Sequence, residues 1–144
     1  MSQQLKTPTL IDVRGPRFSA TLTVIVLAIA LATQNVWVLA LQAVVFAIGA
    51  IRGPQFTPYA FIFKRVIKPR LRGEVVTEDS RPPQFAQSVG FIFALVGLLG
   101  AAIGSSLVFG IAVGFALAAA FLNSVFNYCL GCEMYLLVLR IRTR

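Results

Sequence analysis

Two long stretches without a charged side chain limit what this chain can fold into. They cover residues 18–51 and 85–128, and only a short polar or glycine-serine segment interrupts each one. As a single helix, either stretch would rise about 50 Å or more, whereas the hydrocarbon layer of a membrane is about 30 Å thick. Each stretch therefore predicts a helical hairpin. The predicted membrane spans are residues 18–32, 36–51, 85–103 and 107–126.

The composition excludes a soluble domain. Apolar residues make up 58% of the chain and charged residues 12%, and a soluble protein of this size could not cover that much apolar surface. The chain is therefore expected to be a single membrane domain, with the lipid bilayer as its principal partner.

The basic residues predict the orientation in the membrane. All 13 Lys and Arg lie outside the two hairpins, in the N-terminal segment, in the central loop 52–84 and at the C-terminus. The positive-inside rule then places these three regions in the cytoplasm and the hairpin turns outside, in a multi-pass protein of the inner (plasma) membrane. This distribution also accounts for the net charge of +8, so no nucleic acid partner is expected.

A signal peptide is the competing interpretation of the first span. Arg14 and Arg17 precede an apolar run that ends in Ala30-Leu31-Ala32, which resembles a cleavage site. Against it, the next apolar run begins within four residues, and the first span belongs to an internal repeat.

A four-residue element occurs before each hairpin at the same internal spacing. Its two copies are related by one constant offset in residue number and predict a parallel tandem repeat, with copies over residues 12–70 and 79–140. We therefore expect an all-α fold of two tandem hairpins, each followed by a cytoplasmic interfacial helix. The first copy of the element is Asp12, Arg14, Pro16 and Phe18, and the second is Asp79, Arg81, Pro83 and Phe85.

The interfacial helix is clearest in the first copy. From Pro58 to Pro69, apolar residues recur at helical spacing, while Lys64, Arg65 and Lys68 share the other face, as in helices that lie in a membrane interface. Residues 71–81 then predict a polar loop. With a constant offset, the equivalent helix of the second copy is the cysteine-containing stretch.

The arginines of the repeated element have two interpretations. Asp and Arg two residues apart can pair or cap where a helix enters the membrane, a structural role. Alternatively, the repeat axis brings Arg14 and Arg81 together as an anion-binding pair on the cytoplasmic side.

Both cysteines of the chain, Cys129 and Cys132, lie near the end of the second hairpin. In the first turn of a helix such a pair can close a disulfide, and the backbone N–H groups there favour the thiolate of Cys129. Asn127 and Gly131 favour a helix break before the pair, although an unbroken helix to Leu139 fits the pattern too. The alternative is that the cysteines are only small buried apolar residues.

Glu133 lies one turn beyond Cys129 and can accept a proton from a thiol. Its alternative role is an ion pair with Arg65 or Arg140. A metal is not expected, because two thiolates without histidine leave zinc two ligands short unless a homodimer supplies the rest.

The repeated Asp-x-Arg-x-Pro-x-Phe element and the ending Cys129-Leu-Gly131-Cys132-Glu-Met-Tyr135 resemble a small, mostly actinobacterial membrane family known as domain of unknown function 4395. The resemblance spans nearly the whole chain. It implies a four-span protein with a shared Cys-x-x-Cys. Members are often encoded beside, or fused to, thioredoxin-like and rhodanese-like proteins, which implies thiol redox chemistry or sulfur transfer.

Two classes of function follow. The leading hypothesis is a membrane thiol–disulfide or sulfur-relay protein, in which Cys129 is the nucleophile, Cys132 the resolving thiol and Glu133 a proton acceptor. Its partner would be a cytoplasmic thioredoxin-like or sulfurtransferase (rhodanese-like) protein. The alternative is a non-enzymatic membrane subunit, or a small dimeric transporter of a sulfur-containing anion. No cofactor is expected, since the quinone-reducing membrane proteins that this chain resembles locally need a second cysteine pair and outward-facing thiols.

Overall fold

The computed structural model describes residues 10–70, 73, 76–126 and 129–142. Within them the chain forms six α-helices and a short two-stranded ribbon. The elements are β1 (Leu10–Asp12), α1 (Arg14–Thr33), α2 (Val36–Ile51), α3 (Pro58–Ile62), β2 (Thr77–Asp79), α4 (Arg81–Ala102), α5 (Ser106–Phe126) and α6 (Leu130–Arg142).

Helices α1, α4 and α5 are long and apolar enough to cross a membrane, whereas α2 is a shorter apolar helix of 16 residues. Large apolar side chains such as Trp37 and Leu107 are mostly exposed, as lipid-facing side chains are. The protein is therefore a multi-pass membrane protein with an all-α core. Helices α1 and α4 begin four residues before the predicted spans because Pro16 and Pro82 fit a first helical turn.

Both hairpins turn where the sequence predicts a break. In the first, Gln34 adopts a left-handed conformation with a φ of 55°, and the Asn35 side chain accepts the Trp37 N–H at 2.9 Å. In the second, Gly104 has a φ of 79°, and the Ser105 hydroxyl accepts the Val108 N–H at 3.2 Å. A left-handed residue followed by a polar cap thus ends one helix and starts the next.

The core lies where α1, α2, α4 and α5 meet. Leu27 and Ala30 from α1 and Leu39 from α2 are fully buried. A Cβ added to Gly97 would lie 2.9 Å from the Leu39 side chain, so this glycine lets α4 approach α2 closely. In contrast, Gly110 and Gly114 face open space within the described chain. These two glycines therefore do not bring α5 into close contact with another described helix.

The ribbon of β1 and β2 joins the two halves and was not predicted, because residues 71–81 read as a polar loop. The strands are antiparallel, with Leu10 opposite Asp79, Ile11 opposite Glu78 and Asp12 opposite Thr77. The central pair, Ile11 and Glu78, is separated by the same offset as the two copies of the Asp-x-Arg element, because Ile11 directly precedes Asp12 and Glu78 directly precedes Asp79.

The basic segment after α2 is helical, but only its first part is an α-helix. After α3, residues Phe63–Ile67 form a π-helical turn and Lys68–Arg70 a 3-10 turn. Phe63 is buried and its ring lies 5.8 Å from that of Phe18. Ile62 and Val66, which belong to the predicted apolar stripe, are exposed, so the buried face is narrower than that stripe.

Candidate functional site: a capped cysteine pair

The cysteines lie at the start of a separate helix. Helix α5 ends at Phe126, Cys129 is not helical, and α6 begins at Leu130. Cys129 therefore occupies the N-cap position, and an unbroken helix through the pair is excluded. Asn127, one of the two residues from which the break was predicted, lies outside the described residues, as does Tyr128.

Cys129 and Cys132 are joined by a disulfide, with their Cα atoms 5.1 Å apart. The sulfur of Cys129 also accepts a hydrogen bond from the backbone N–H of Cys132 at 3.1 Å. The carbonyl oxygen of Cys129 accepts one from the N–H of Glu133 at 3.0 Å. The first turn of a helix has backbone N–H groups without intrahelical partners. The side chain of Cys129 thus satisfies one of them.

Close contact with α4 holds this turn in place. Gly131 is buried, and a Cβ at that position would lie 2.5 Å from both the Cα and the Cβ of Ala86. One turn later, the Tyr135 ring lies 5.7 Å from that of Phe85. The cysteine pair therefore sits against the first turns of α4, directly after the second Asp-x-Arg element.

One side of the pair remains open. Both cysteines are half-buried, whereas Leu130, Glu133 and Met134 are exposed. Within the described residues, the Glu133 carboxylate makes no hydrogen bond to either sulfur. The structure thus places the three predicted residues on one turn but brings only the cysteines into contact.

Arg14 and Arg81, the predicted anion-binding pair, each form an ion pair with the aspartate of the same Asp-x-Arg element. Arg14 donates to Asp12 at 3.0 and 2.7 Å, and Arg81 donates to Asp79 at 2.9 and 2.5 Å. Hydrogen bonds from these guanidinium groups lower the pKa of both aspartates. Because Asp12 and Asp79 lie at opposite ends of the ribbon, the register does not bring the two arginines to one point.

Arg17 is a residue that the sequence interpretation missed. Its Nε donates to the Ser124 carbonyl oxygen at 3.0 Å, and the Ser124 and Thr21 hydroxyls lie 2.7 Å apart. These bonds tie α1 to the end of α5, just before the cysteines. Gln84, which the repeat offset pairs with Arg17, similarly donates to the Ala50 carbonyl near the end of α2 at 2.8 Å. The offset shared by Arg17 and Gln84 is the sequence signal from which this role could have been predicted.

The start of α3 is built like the start of α6. Thr57 is its N-cap, and the Thr57 hydroxyl accepts the Ala60 N–H at 3.2 Å. Cys129 makes the same bond to Cys132. Thr57 and Ala60 therefore make the same kind of cap as Cys129 and Cys132. The constant offset of the Asp-x-Arg elements pairs the cysteines with Ile62 and Arg65 instead.

The comparisons with known proteins agree with the resemblance. Residues 11–140 match the family described as Domain of unknown function (DUF4395). No curated protein and no solved structure is significantly similar to the chain. Since the match covers both Asp-x-Arg elements, the long apolar helices and the cysteine pair, the chain belongs to the DUF4395 family of membrane proteins.

Proposed function

We propose that this protein is a membrane thiol–disulfide protein whose redox centre is the Cys129–Cys132 pair. The observation that carries the proposal is the disulfide at the N-terminus of α6, with the Cys129 sulfur on the Cys132 N–H at 3.1 Å. After reduction, the same N–H groups and the helix dipole favour a thiolate at Cys129. Cys129 is therefore the nucleophile and Cys132 the resolving thiol.

The exchange is a two-electron reaction with a dithiol partner. A partner thiolate attacks the Cys129 sulfur, a mixed disulfide forms and the Cys132 thiolate leaves. The second partner thiolate then releases Cys129, so the partner is oxidised and two electrons and two protons pass to this pair. In the reverse direction Glu133 accepts the proton that Cys132 loses. The partner is a cytoplasmic thioredoxin-like protein.

A sulfur relay uses the same thiols. The Cys129 thiolate attacks the outer sulfur of a persulfide on a rhodanese-like partner and takes that sulfur, while the partner thiolate leaves. Cys132 then attacks the Cys129 sulfur, forming the disulfide and releasing hydrosulfide. A reductant is needed to start the next cycle, and the thioredoxin-like protein supplies it.

The architecture that we propose for this function is a tandem repeat of two hairpins, with α2 as the fourth span. Buried residues support the repeat, since the offset between the Asp-x-Arg elements also relates Leu27 to Ala94 and Ala30 to Gly97. The offset becomes larger at the hairpin turns, where Gln34 corresponds to Gly104, and larger again at the caps of α3 and α6. Small insertions at the turns, and again between the turns and the caps, explain this growth.

The proposed orientation places the cysteine pair on the cytoplasmic side. The ribbon, α3 and the start of α6 all lie at the ends of the long helices that carry Lys and Arg, and the hairpin turns carry none. Single cysteines at Gln34 and Ser105, in a chain without the native pair, test this topology. Both should react with a membrane-impermeant maleimide in intact cells, and a cysteine at Arg65 should react only after lysis.

Trapping of the redox state tests the function. Cells are quenched in acid, free thiols are alkylated with a heavy maleimide, and the mass shift reports the state of the pair. We expect a mixture of the oxidised and reduced protein, which shifts to the reduced form when a reductant of thioredoxin is added. Cys132→Ser should accumulate a mixed disulfide with a thioredoxin-like protein, whereas Cys129→Ser should not. A pair that never changes state in either direction would refute the redox function.

A further inference from the structure

A second site lies away from the cysteines, beside the N-terminal end of α1. It is a cavity of about 180 Å³ between β1 and the segment that follows α2. Its charged or amide-bearing lining residues are Asp12, Gln55, Lys64 and Lys68, and most of the remaining lining is apolar. We propose that this cavity binds the phosphoglycerol headgroup of an anionic phospholipid, of which phosphatidylglycerol is the simplest.

The charges around the cavity favour an anion. The Lys64 ammonium group donates to the Gln55 main-chain oxygen at 3.1 Å, and that of Lys68 lies 3.9 Å from the Asp12 carboxylate. Asp12 is already paired with Arg14 at 2.7 Å. Asp12 is thus paired with Arg14 and Lys68, and Lys64 adds a further positive charge to the lining. Both lysines have N–H bonds left that can turn toward a phosphate.

Gln55 distinguishes between anions. The side-chain oxygen of Gln55 is buried and has no hydrogen-bond partner among the described residues. A buried acceptor of this kind calls for a donor. The phosphodiester of phosphatidylglycerol supplies only acceptors, as does the fully ionised phosphomonoester of phosphatidic acid, whereas the hydroxyl groups of a glycerol headgroup can donate. The unpaired oxygen thus favours phosphatidylglycerol over phosphatidic acid.

The surroundings favour a lipid over a free anion. Phe61, Ile62 and Val66 are exposed on the same helical segment, and such a basic and apolar segment is typical of a membrane interface. The cavity has room for a headgroup but not for acyl chains, which would extend along these exposed side chains.

Lipid binding by native mass spectrometry tests the site on the whole protein. Protein in phosphatidylcholine nanodiscs is compared with protein in nanodiscs that also contain phosphatidylglycerol or phosphatidic acid. A charge-assisted hydrogen bond from a lysine to the phosphate contributes about tenfold or more in affinity, so K64Q/K68Q should weaken phosphatidylglycerol binding about 100-fold. The matched control is R65Q/R70Q, which removes the same charge from the same segment but from outside the cavity lining.

The proposal is supported if R65Q/R70Q retains most of the binding and if Gln55→Leu removes the preference for phosphatidylglycerol over phosphatidic acid. Equal losses in the two double variants would overturn it, because they would indicate only general attraction to a charged surface. Glycerol 3-phosphate or inorganic phosphate that binds as strongly in phosphatidylcholine alone would also overturn it, since the ligand would then be a free anion. Equal melting temperatures of all variants in phosphatidylcholine show that each one is folded.

Discussion

The Thr57 hydroxyl and the Cys129 sulfur make the same hydrogen bond at the start of two short helices. Each accepts the backbone N–H of the residue three positions later, at 3.2 and 3.1 Å. In the first half of the chain a threonine caps the helix, which is a common role for that residue. In the second half a cysteine takes this position, and the residue that it caps is the other cysteine. The disulfide is thus built into an ordinary helix cap.

This relationship separates the structural role of Cys129 from its chemistry. With the disulfide reduced, Cys129→Thr should keep the cap and leave stability close to that of the parent, while Cys129→Ala should lose about 1 kcal/mol. Thermal unfolding in detergent with excess reductant measures both. Neither variant can form the disulfide, so both should fail equally in the redox-trapping assay. Their stabilities, in contrast, should differ. If Thr and Ala unfold alike, the side chain at this position does not stabilise α6.

Gly131 should be intolerant of even one added methyl group. A Cβ there would lie 2.5 Å from Ala86 on α4, so Gly131→Ala should push the start of α6 away and destabilise the fold by about 1–3 kcal/mol. Gly110→Ala is the matched control, because a Cβ at Gly110 meets nothing within 4 Å. Chemical denaturation in micelles compares the two. Gly110→Ala should leave stability unchanged or raise it, because alanine has the higher helix propensity. If Gly131→Ala is no less stable than Gly110→Ala, the contact with α4 does not restrict this position.

Several features of the fold could be predicted because they depend on local residues. Prolines in first turns and the left-handed residues Gln34 and Gly104 define where the helices start and end. The ribbon could not, since its strands are very short and each pairs with a segment in the other half of the chain. The close contact of Gly131 with Ala86 is likewise non-local.

The sequence predicted which cysteines form the site, but not how the helix start that holds them is built. The spacing of Cys129 and Cys132 indicated a disulfide in a first helical turn, and the structure has one. The likeness of the Thr57 and Cys129 caps was missed because the constant offset of the Asp-x-Arg elements pairs Cys129 with Ile62 and not with Thr57. Only the caps reveal it.

The carboxylate of Glu78 should make the ribbon sensitive to pH. Burial, with a smaller contribution from neighbouring Asp79, raises the pKa of Glu78. Because the pKa is raised, protonated Glu78 stabilises the folded protein. This stabilisation is complete below the ordinary pKa of a glutamate and is lost as the pH rises through the higher pKa of Glu78 in the folded protein. Glu78→Gln should therefore melt higher than the parent at pH 7 and equally at low pH. A difference that does not vary with pH would contradict this cause.

Asp12 should show the opposite dependence. The hydrogen bond from the Arg14 guanidinium lowers the pKa of Asp12, so its contribution is present above the ordinary pKa of an aspartate and is lost as the pH falls through the lower folded value. Asp12→Asn should melt lower than the parent at pH 7, and the gap should close toward acid. Melting temperatures between pH 3 and 8 measure it. A gap that stays open in acid would point to packing.

Tyr59 holds the one amide that lies deep in α2. Its hydroxyl donates to the Gln42 side-chain oxygen at 2.6 Å, and Gln42 is fully buried with its amide nitrogen unpaired among the described residues. Tyr59→Phe would leave both ends of the amide without a partner and should cost about 1–3 kcal/mol. Gln42→Leu combined with Tyr59→Phe removes the buried amide and should recover most of that loss. Urea unfolding of both variants in one detergent decides the point: if the double variant is no more stable than Tyr59→Phe, the hydrogen bond is not what couples α3 to α2.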